Sequence, residues 1–250
     1  MRNTIREKRR LAFNNKRITP KTVREFADII TKEYNRLSDE EASNAYIMYS
    51  LDATDDSSYE SQSNEVFNEN EILEKKVIQK IVMRFNTLHN SKNIEIQIVH
   101  SKENDKSENF ILVSGDDQNW VNGILGRISE IISWAEAQPK YVDKLGYLTF
   151  SIVILFNIFY FKLFYPFFQN YKNEFVQVVL LLGVPIASMT GGSKIHEYLK
   201  SLWPAIELQT GPNYSQISAR NRRIILWWLG GIVIPLLLAL VYDTFKAHIH

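Results

Sequence analysis

LGYLTFSIVILFNIFYF, Leu145–Phe161, contains seventeen residues and no charged side chain. Its apolar character continues past Lys162 to about Phe168. A helix needs roughly 20 apolar residues, within a range of about 17–25, to cross a hydrocarbon core about 30 Å thick. A soluble helix of this length normally keeps one polar face, and this stretch has none. The sequence therefore predicts a transmembrane helix that begins at residue 145.

Two further uncharged segments of nineteen residues each follow, Phe175–Ser193 and Ile224–Tyr242. Tyr and Trp side chains lie toward the ends of the segments, as is typical of the membrane–water interface. The end of the middle segment, Ala187–Ser193, is small and weakly hydrophobic, so a re-entrant segment is a second interpretation there. The predicted all-α transmembrane domain covers 145–250, with three transmembrane helices at about 145–168, 175–193 and 224–242.

Charge divides the chain into three parts, which the overall net charge of +1 conceals. Residues 1–24 hold nine Lys and Arg and one acid, whereas residues 25–140 have a net charge of −11. Residues 145–250 hold only twelve charged side chains. The charged N-terminus has no apolar core of the kind that a secretory signal needs. We therefore expect the soluble part to stay in the cytoplasm.

Positive residues between the second and third segments predict the topology. Cytosolic loops of membrane proteins carry an excess of Lys and Arg. The loop 194–223 has five of them against two acids: Lys194, Lys200, Arg220, Arg222 and Arg223 against Glu197 and Glu207. We expect a multi-pass protein of the cell inner membrane, with its soluble domain and this loop in the cytoplasm and the tail 243–250 outside.

The first part of that loop has an apolar face. Ile195, Tyr198, Leu199 and Leu202 recur at helical spacing, and Pro204 follows them. One interpretation is an amphipathic helix that lies in the membrane interface. The other is a segment that packs against the soluble domain, and the sequence leaves both open.

Residues 19–140 predict a cytosolic α+β domain. Helical spacing follows Thr19-Pro20, and apolar alternation marks a strand near 45–52 with a short partner at 58–62. A weak helix at 64–73, three strands with short turns and a final helix that starts within 114–119 and ends near Gln138-Pro139 complete the order α–β–β–α–β–β–β–α. Short turns favour an antiparallel meander, so we expect a small antiparallel sheet covered by helices on one face.

Motifs for catalysis and metal binding are missing from the sequence. The chain has no cysteine, which excludes disulfides, thiolate catalysis and Cys-ligated zinc. SGDD before the final helix predicts a helix cap rather than a phosphate loop, and DATDDSSYE predicts a solvated turn rather than a calcium loop. The histidines are scattered, and no G-x-S-x-G turn occurs. We expect no enzyme, cofactor or metal.

The strongest electrostatic feature of the soluble part is a basic N-terminal arm over residues 1–18. Its candidate contact residues are Arg6, Lys8, Arg9, Arg10, Lys16 and Arg17. Attraction to anionic lipid is one interpretation, at about 1 kcal/mol per cation near the membrane surface. Contact with the acidic surface of its own domain, with a nucleic acid, or no contact in a solvated tail are the others.

Polar and small residues within the predicted spans are candidates for helix packing. Asn157 and Gln177 need hydrogen-bond partners in hydrocarbon, and Gly230 and Gly231 permit close approach of helices. No Asp, Glu or Arg lies at mid-membrane, so an ion-coupled transporter is not supported.

VSGDDQNWVNGILGRI, the apolar segments after it and the loop WPAIELQTGP together resemble a group of bacterial membrane proteins with an N-terminal soluble α+β domain. The resemblance implies a membrane protein of this layout and carries no activity.

Two functions follow from this layout. In the first, the cytosolic domain senses a ligand or partner and controls assembly of the helices in the lipid bilayer. Three spans are too few to enclose a pathway, so a homo-oligomer is expected; by analogy, such a protein could be a membrane-perturbing effector in bacterial antiviral defence. In the second, the protein is a membrane-tethered scaffold that recruits a protein or nucleic-acid complex, encoded nearby, through the basic arm.

Overall fold

The residues form two compact units in the computed structural model. One lies within Met1–Pro139 and Trp203–Ser215, and the other within Lys140–Leu202 and Gln216–His250. The first unit thus takes in part of the predicted basic arm and the middle of the predicted loop 194–223. The structure describes residues 6–68, 72–87, 91–100, 108–137, 145–170, 174–212, 214–235, 238–239 and 242.

The first unit combines short and long strands with four helices in its described part. A 3-10 turn at Asn64–Phe67 precedes the third of these helices. The elements are β1 (Glu7–Ala12), β2 (Lys16–Ile18), α1 (Pro20–Tyr34), α2 (Asp39–Ser43), β3 (Tyr46–Ala53), β4 (Ser58–Ser61), α3 (Ile72–Lys75), β5 (Ile78–Asn86), β6 (Lys92–Val99), β7 (Phe110–Gly115), α4 (Gln118–Trp134) and, much later in the chain, β8 (Ile206–Leu208).

Six of the strands form one antiparallel sheet in the order β1-β7-β6-β5-β3-β4. The predicted α+β class and the predicted β5-β6-β7 meander are therefore confirmed. The strand β1 is an addition to the predicted order, because it pairs with β7 from Glu7 opposite Gly115 to Ala12 opposite Phe110. Residues 7–12 of the predicted arm are thus part of the sheet, and a solvated tail is the wrong interpretation for them.

One face of the sheet carries the hydrophobic core. Alternate residues of β6, Ile94, Ile96 and Ile98, are fully buried, as their spacing predicts for one face of a strand. They belong to one cluster with apolar residues of α1 and α4, such as Phe26 and Ile124. The opposite face is only partly covered, so the sheet follows the pattern of antiparallel sheets with one solvated side.

Both long helices of this unit have the predicted caps. The hydroxyl of Thr19 accepts a hydrogen bond from the Thr22 amide at the start of α1. Asp117 accepts one from the Asn119 amide (2.8 Å) at the start of α4. Each cap satisfies a backbone donor that the first helical turn leaves without an intrahelical partner.

The second unit contains two long apolar helices, α5 (Leu145–Asn170) and α6 (Glu174–Leu202). Both are long and apolar enough to cross a membrane, and only 11% and 6% of their apolar windows are buried. A core helix of a soluble protein would be mostly buried. The exposed apolar side chains of both helices therefore favour a lipid surrounding.

α6 is one continuous helix that includes Pro185, so its residues 187–193 are not a re-entrant loop. The same helix continues through the predicted amphipathic segment to Leu202, and a separate interfacial helix is therefore the wrong interpretation.

The third predicted span is only partly described. α7 (Tyr214–Trp228) is followed by a π-helical segment, Leu229–Val233, and the described positions beyond it are also helical. The described residues thus contain two span-length apolar helices rather than the predicted three. Residues 236–237, 240–241 and the tail 243–250 lie outside the described part of the chain.

Candidate functional site

The strand β2 lies between the chain that leads into α5 and the chain that returns from α6. On one side, the Arg17 amide donates to the Glu136 carbonyl oxygen (2.9 Å), and Lys16 forms a bridge with Ala137. On the other side, β2 pairs in parallel with β8, and the Gln209 amide donates to the Ile18 carbonyl oxygen (2.9 Å). Three residues of the predicted basic arm therefore hold both segments.

The side chain of Arg17 also links these two segments, through ion pairs. Its Nη1 donates to the Glu136 carboxylate, and its Nε lies 3.3 Å from Oε2 of Glu207. Glu207, in β8, is fully buried. A buried carboxylate without a cation would be costly, so Arg17 stabilises the attachment of β8.

Lys16 contributes at the same place, because its Nζ donates to the Ala135 carbonyl oxygen (2.9 Å) just after α4. A cation at that position complements the negative end of the helix. Lys16 and Arg17 are thus contacts within the protein rather than an exposed lipid-binding surface.

The segment after α6 is built into the first unit. Trp203, Ile206 and Leu208 are buried, and the Thr210 hydroxyl accepts from the Ile78 amide (2.8 Å). At Gly211 the backbone is left-handed (φ 86°), and an added Cβ would lie 2.8 Å from the Val77 side chain. Residues 203–211 therefore pack against the soluble domain, whereas Ile195 and Tyr198 of the predicted apolar face are exposed on α6. We call β2, residues 135–137 and residues 203–211 the junction.

The other half of the basic arm, on β1, has a different setting. Arg6 donates through Nη2 to the Ser114 hydroxyl (2.8 Å), and the Arg10 guanidinium lies 4.3 Å from the centre of the Phe110 ring. Lys8 is exposed opposite Ser114. These residues lie on the partly covered face of the sheet, whereas Arg9 points to the other face and pairs with Glu7.

A pocket of about 370 Å³ lies at this end of the sheet. It is lined by Arg6, Lys8, Asn93, Leu112 and Ser114. We call this pocket and Arg10 beside it the basic face. The sequence identified the cations of the basic face. It did not identify the polar residues on β6 and β7, because they lie near β1 only as a result of the strand order in the sheet.

A buried carboxylate joins α1 to α4. Glu33 accepts hydrogen bonds from Arg127 Nη2 (2.8 Å) and from the Trp120 indole (2.8 Å), and Arg36 also pairs with it. Burial opposes ionisation, but these hydrogen bonds and the two positive charges outweigh it and lower the pKa of Glu33. The carboxylate is fully bonded, so we assign it a structural role.

Some of the predicted helix-packing residues contact the neighbouring helix, and others do not. Asn157 of α5 donates through Nδ2 to Ser188 Oγ of α6 (2.8 Å), as expected for an amide in an apolar helix. Gln177 is half-buried near the start of α6. Among the described residues, no atom lies within 4 Å of a Cβ added at Gly230, and only Trp227 lies that close to one added at Gly231. The packing role of these two glycines stays a prediction.

The close approach of α5 and α6 occurs instead at Gly192, where an added Cβ would lie 2.5 Å from Val153 Cγ2. Beside this contact, an apolar groove of about 860 Å³ runs along the two helices and includes Phe150 and Asn157 in its lining.

The predicted loop 194–223 consists largely of regular structure. Lys194 and Lys200 lie in the last turns of α6, and Arg220 and Arg223 are exposed on α7. Arg222 is buried, and its Nε donates to the Leu202 carbonyl oxygen (2.7 Å) at the end of α6. It satisfies one of the carbonyl groups that a helix leaves free at its C-terminus.

In the acidic turn predicted from DATDDSSYE, Asp55 forms an ion pair with Lys76, which lies just before β5. The hydrogen bond from Lys76 and those from Ser57 lower the pKa of Asp55 to about 2. Within the described ranges, no group of three or more His, Asp or Glu side chains is arranged to hold a metal ion. His100 accepts from the Leu208 amide (3.3 Å), while His89, His248 and His250 lie outside the described residues.

No family model, curated protein or solved structure matches the chain. The geometry of the junction and of the basic face is therefore the basis for a functional proposal.

Proposed function

We propose that this chain is a membrane protein whose α+β domain senses a ligand or partner and controls, through the junction, how its membrane helices assemble. The observation that carries the proposal is the position of β2, which bonds to residue 136 before α5 and to β8 after α6. A change in β2 would act on both ends of the hairpin at once.

Chain connectivity supports a defined topology. Residues 136–137 and 203–211 belong to one folded domain, so the chain leaves it before α5 and re-enters it after α6. Two crossings of the bilayer satisfy this condition. The positive residues near the end of α6 and on α7 favour the cytoplasmic side for the domain. A third crossing by 224–242 would then take the C-terminus to the other side.

Self-association belongs to the same proposal. Two or three helices cannot enclose a water-filled pathway, and the apolar side chains of α5 and α6 are largely exposed within the described chain. Several copies would be required to form a pore or any other closed membrane assembly. The proposed output of the domain is therefore the state of a homo-oligomer.

The test is Arg17→Ala in the full-length protein reconstituted in bilayers, with Arg24→Ala as control. Arg24 also pairs with a carboxylate, Glu74, but both side chains are partly exposed. Loss of Arg17 removes the cation that lies 3.3 Å from the buried Glu207 carboxylate, at a cost of about 3–5 kcal/mol, whereas an exposed pair is worth about 0–1 kcal/mol. We expect faster hydrogen exchange at residues 203–211 and an altered oligomer distribution by cross-linking for Arg17→Ala alone.

A double variant distinguishes the loss of the ion pair from the release of residues 203–211. Arg17→Met with Glu207→Leu replaces the pair by apolar residues of similar size and should restore protection of residues 203–211. If Arg17→Ala releases this segment but the oligomer distribution equals that of the parent protein, the junction does not control assembly and the proposal fails.

A second candidate function, the membrane-tethered scaffold, is favoured by one observation. β1 is an edge strand with Lys8, Arg9 and Arg10 exposed. Such an edge can contact an anionic partner, although charged residues also protect edges from unwanted pairing. Deleting residues 1–18 would remove β1 and β2 from the fold, so Lys8→Glu with Arg9→Glu is the better test. Unchanged, salt-resistant capture of a partner would contradict this function.

A further inference from the structure

The pocket of the basic face is lined by two cations, Arg6 and Lys8, that form no ion pair with a described carboxylate. Six arginines of this unit each pair with a Glu side chain: Arg9, Arg17, Arg24, Arg36, Arg84 and Arg127. Among the described residues, the Arg6 guanidinium bonds only to the neutral Ser114 hydroxyl, and the Lys8 ammonium makes neither a hydrogen bond nor an ion pair.

Two unneutralised cations side by side repel each other, and a bound anion removes that repulsion. None of the five residues that line the pocket is acidic. Glu95, which lies opposite Leu112 in the sheet, already pairs with Arg84, and the rest of residues 25–140 carries a net charge of −11. The pocket therefore has a local excess of positive charge that an anionic ligand would neutralise.

The donors around the pocket match a phosphate group. A guanidinium presents several N–H donors in a fixed plane, and an ammonium supplies a compact charge, a combination common at phosphate sites. Ser114 Oγ accepts from Arg6, so its own proton remains available for donation, and Asn93 lies opposite Ser114 in the register of β6 and β7. A phosphate has enough acceptor oxygens for all four groups.

The surroundings also suit more than a bare ion. Leu112 lines the pocket, and Phe110 lies next to it under Arg10. The volume of about 370 Å³ is within the range of small-molecule sites and exceeds the space that one phosphate group needs. An organic portion attached to the phosphate would find an apolar surface there.

The geometry points to a binding site for a small phosphorylated ligand, such as a nucleotide, with its phosphate held by Arg6 and Lys8 on β1 and by Asn93 and Ser114. This inference rests on the proposed function, to which it adds the chemical class of the signal. β1 ends at Ala12 and β2 begins at Lys16, so a ligand that orders β1 acts on the strand next to the junction along the chain.

The test measures binding to the full-length protein in nanodiscs of neutral phosphatidylcholine. Titration calorimetry with pyrophosphate and with ADP should give saturable binding that weakens as salt increases. Lys8→Gln should reduce the affinity for both probes by roughly fivefold or more, since hydrogen bonds to charged groups are the stronger ones. Lys32→Gln, which removes an exposed Lys from α1, should bind as the parent protein does.

A second arm separates free ligands from lipid headgroups, which carry the same phosphate chemistry. Binding that occurs only to vesicles with phosphatidylglycerol, and not to pyrophosphate or ADP, would overturn the inference in favour of membrane contact. So would equal affinities for Lys8→Gln and Lys32→Gln. Asn93→Ala provides a second variant, and its loss of affinity is expected to be smaller than that of Lys8→Gln.

Failure of the ligand site can be distinguished from failure of the proposed function, because the binding experiment does not measure assembly. If Arg17→Ala changes the oligomer distribution but no probe binds the parent protein, only the ligand class is wrong. If the probes bind as expected while Arg17→Ala leaves assembly unchanged, the site stands and the control of assembly fails.

Discussion

The α+β domain and the α5–α6 hairpin arrange their apolar side chains in opposite ways. In the domain, alternate residues of the strands are buried against two helices, while the other sheet face carries charge. In the hairpin, large side chains such as Phe150 and Ile186 are mostly exposed within the chain. The burial pattern of the first region is typical of a domain in water, whereas the exposed apolar side chains of the second favour a lipid surrounding.

Polar groups follow the same division. The domain buries charge, in Glu33 and Glu207, and matches it with arginine. The hairpin half-buries a neutral amide, Asn157, and matches it with a hydroxyl. Ion pairs are tolerated where water reaches one partner, whereas a neutral hydrogen bond avoids the cost of charge in hydrocarbon.

The largest expected effect on stability comes from the same substitution, Phe to Ala, made once in each region. Phe85→Ala removes a fully buried ring from β5 and should destabilise the domain by about 3–5 kcal/mol. Phe150→Ala removes a ring that is 60% exposed on α5, and lipid tails can replace its contacts. Hydrogen exchange of β5 and α5 in the reconstituted protein would measure both. A loss of protection near 150 as large as that near 85 would show that protein, rather than lipid, covers Phe150.

A smaller effect is expected at the helix contact, where neighbouring glycines provide their own control. Gly192→Ala places a Cβ against Val153, which has few alternative rotamers in a helix, and should destabilise the hairpin by about 1–3 kcal/mol. The new methyl group of Gly191→Ala has no atom of a described residue within 4 Å, so this variant should be neutral or stabilising, since Ala favours helix over Gly. Resistance of the hairpin to unfolding in mixed detergent micelles would rank the variants.

Val153→Ala in the Gly192→Ala background creates room for the new methyl group and should restore part of the lost stability. If both glycine variants behave alike, the close approach of α5 and α6 at this position is wrong.

Periodicity predicted the long elements of both regions. The alternation of Ile94, Ile96 and Ile98 identified β6 and its buried face, and unbroken apolar composition identified α5 and most of α6. These patterns reflect the solvent or core that a single helix or strand faces, and residues close in the sequence share that environment. Cap residues such as Asp117 were predictable for the same reason.

The junction and the basic face could not be predicted, because they depend on contacts between distant parts of the chain. β1 has an exposed, basic sequence that resembles a solvated tail, and only its pairing with β7 defines it as a strand. β8 has three residues, and its burial depends on β2 near the other end of the sequence. Arg17 and Lys8 look equivalent in the sequence, although one pairs with a buried carboxylate and the other faces solvent.

The smallest expected effect concerns the hydrogen bond within the hairpin. Asn157→Leu removes the donor to Ser188, but it also removes a buried acceptor, Oδ1, that has no partner among the described residues. The loss of one bond and the removal of one unsatisfied group oppose each other, so the net change should be within about 1 kcal/mol. A double-mutant cycle with Ser188→Ala isolates the bond itself, for which we expect a coupling of about 0.6–1.7 kcal/mol. A cost of Asn157→Leu that greatly exceeds this coupling would mean that Asn157 is bonded across a contact between copies of the chain, and it would place the subunit interface on the groove beside α5.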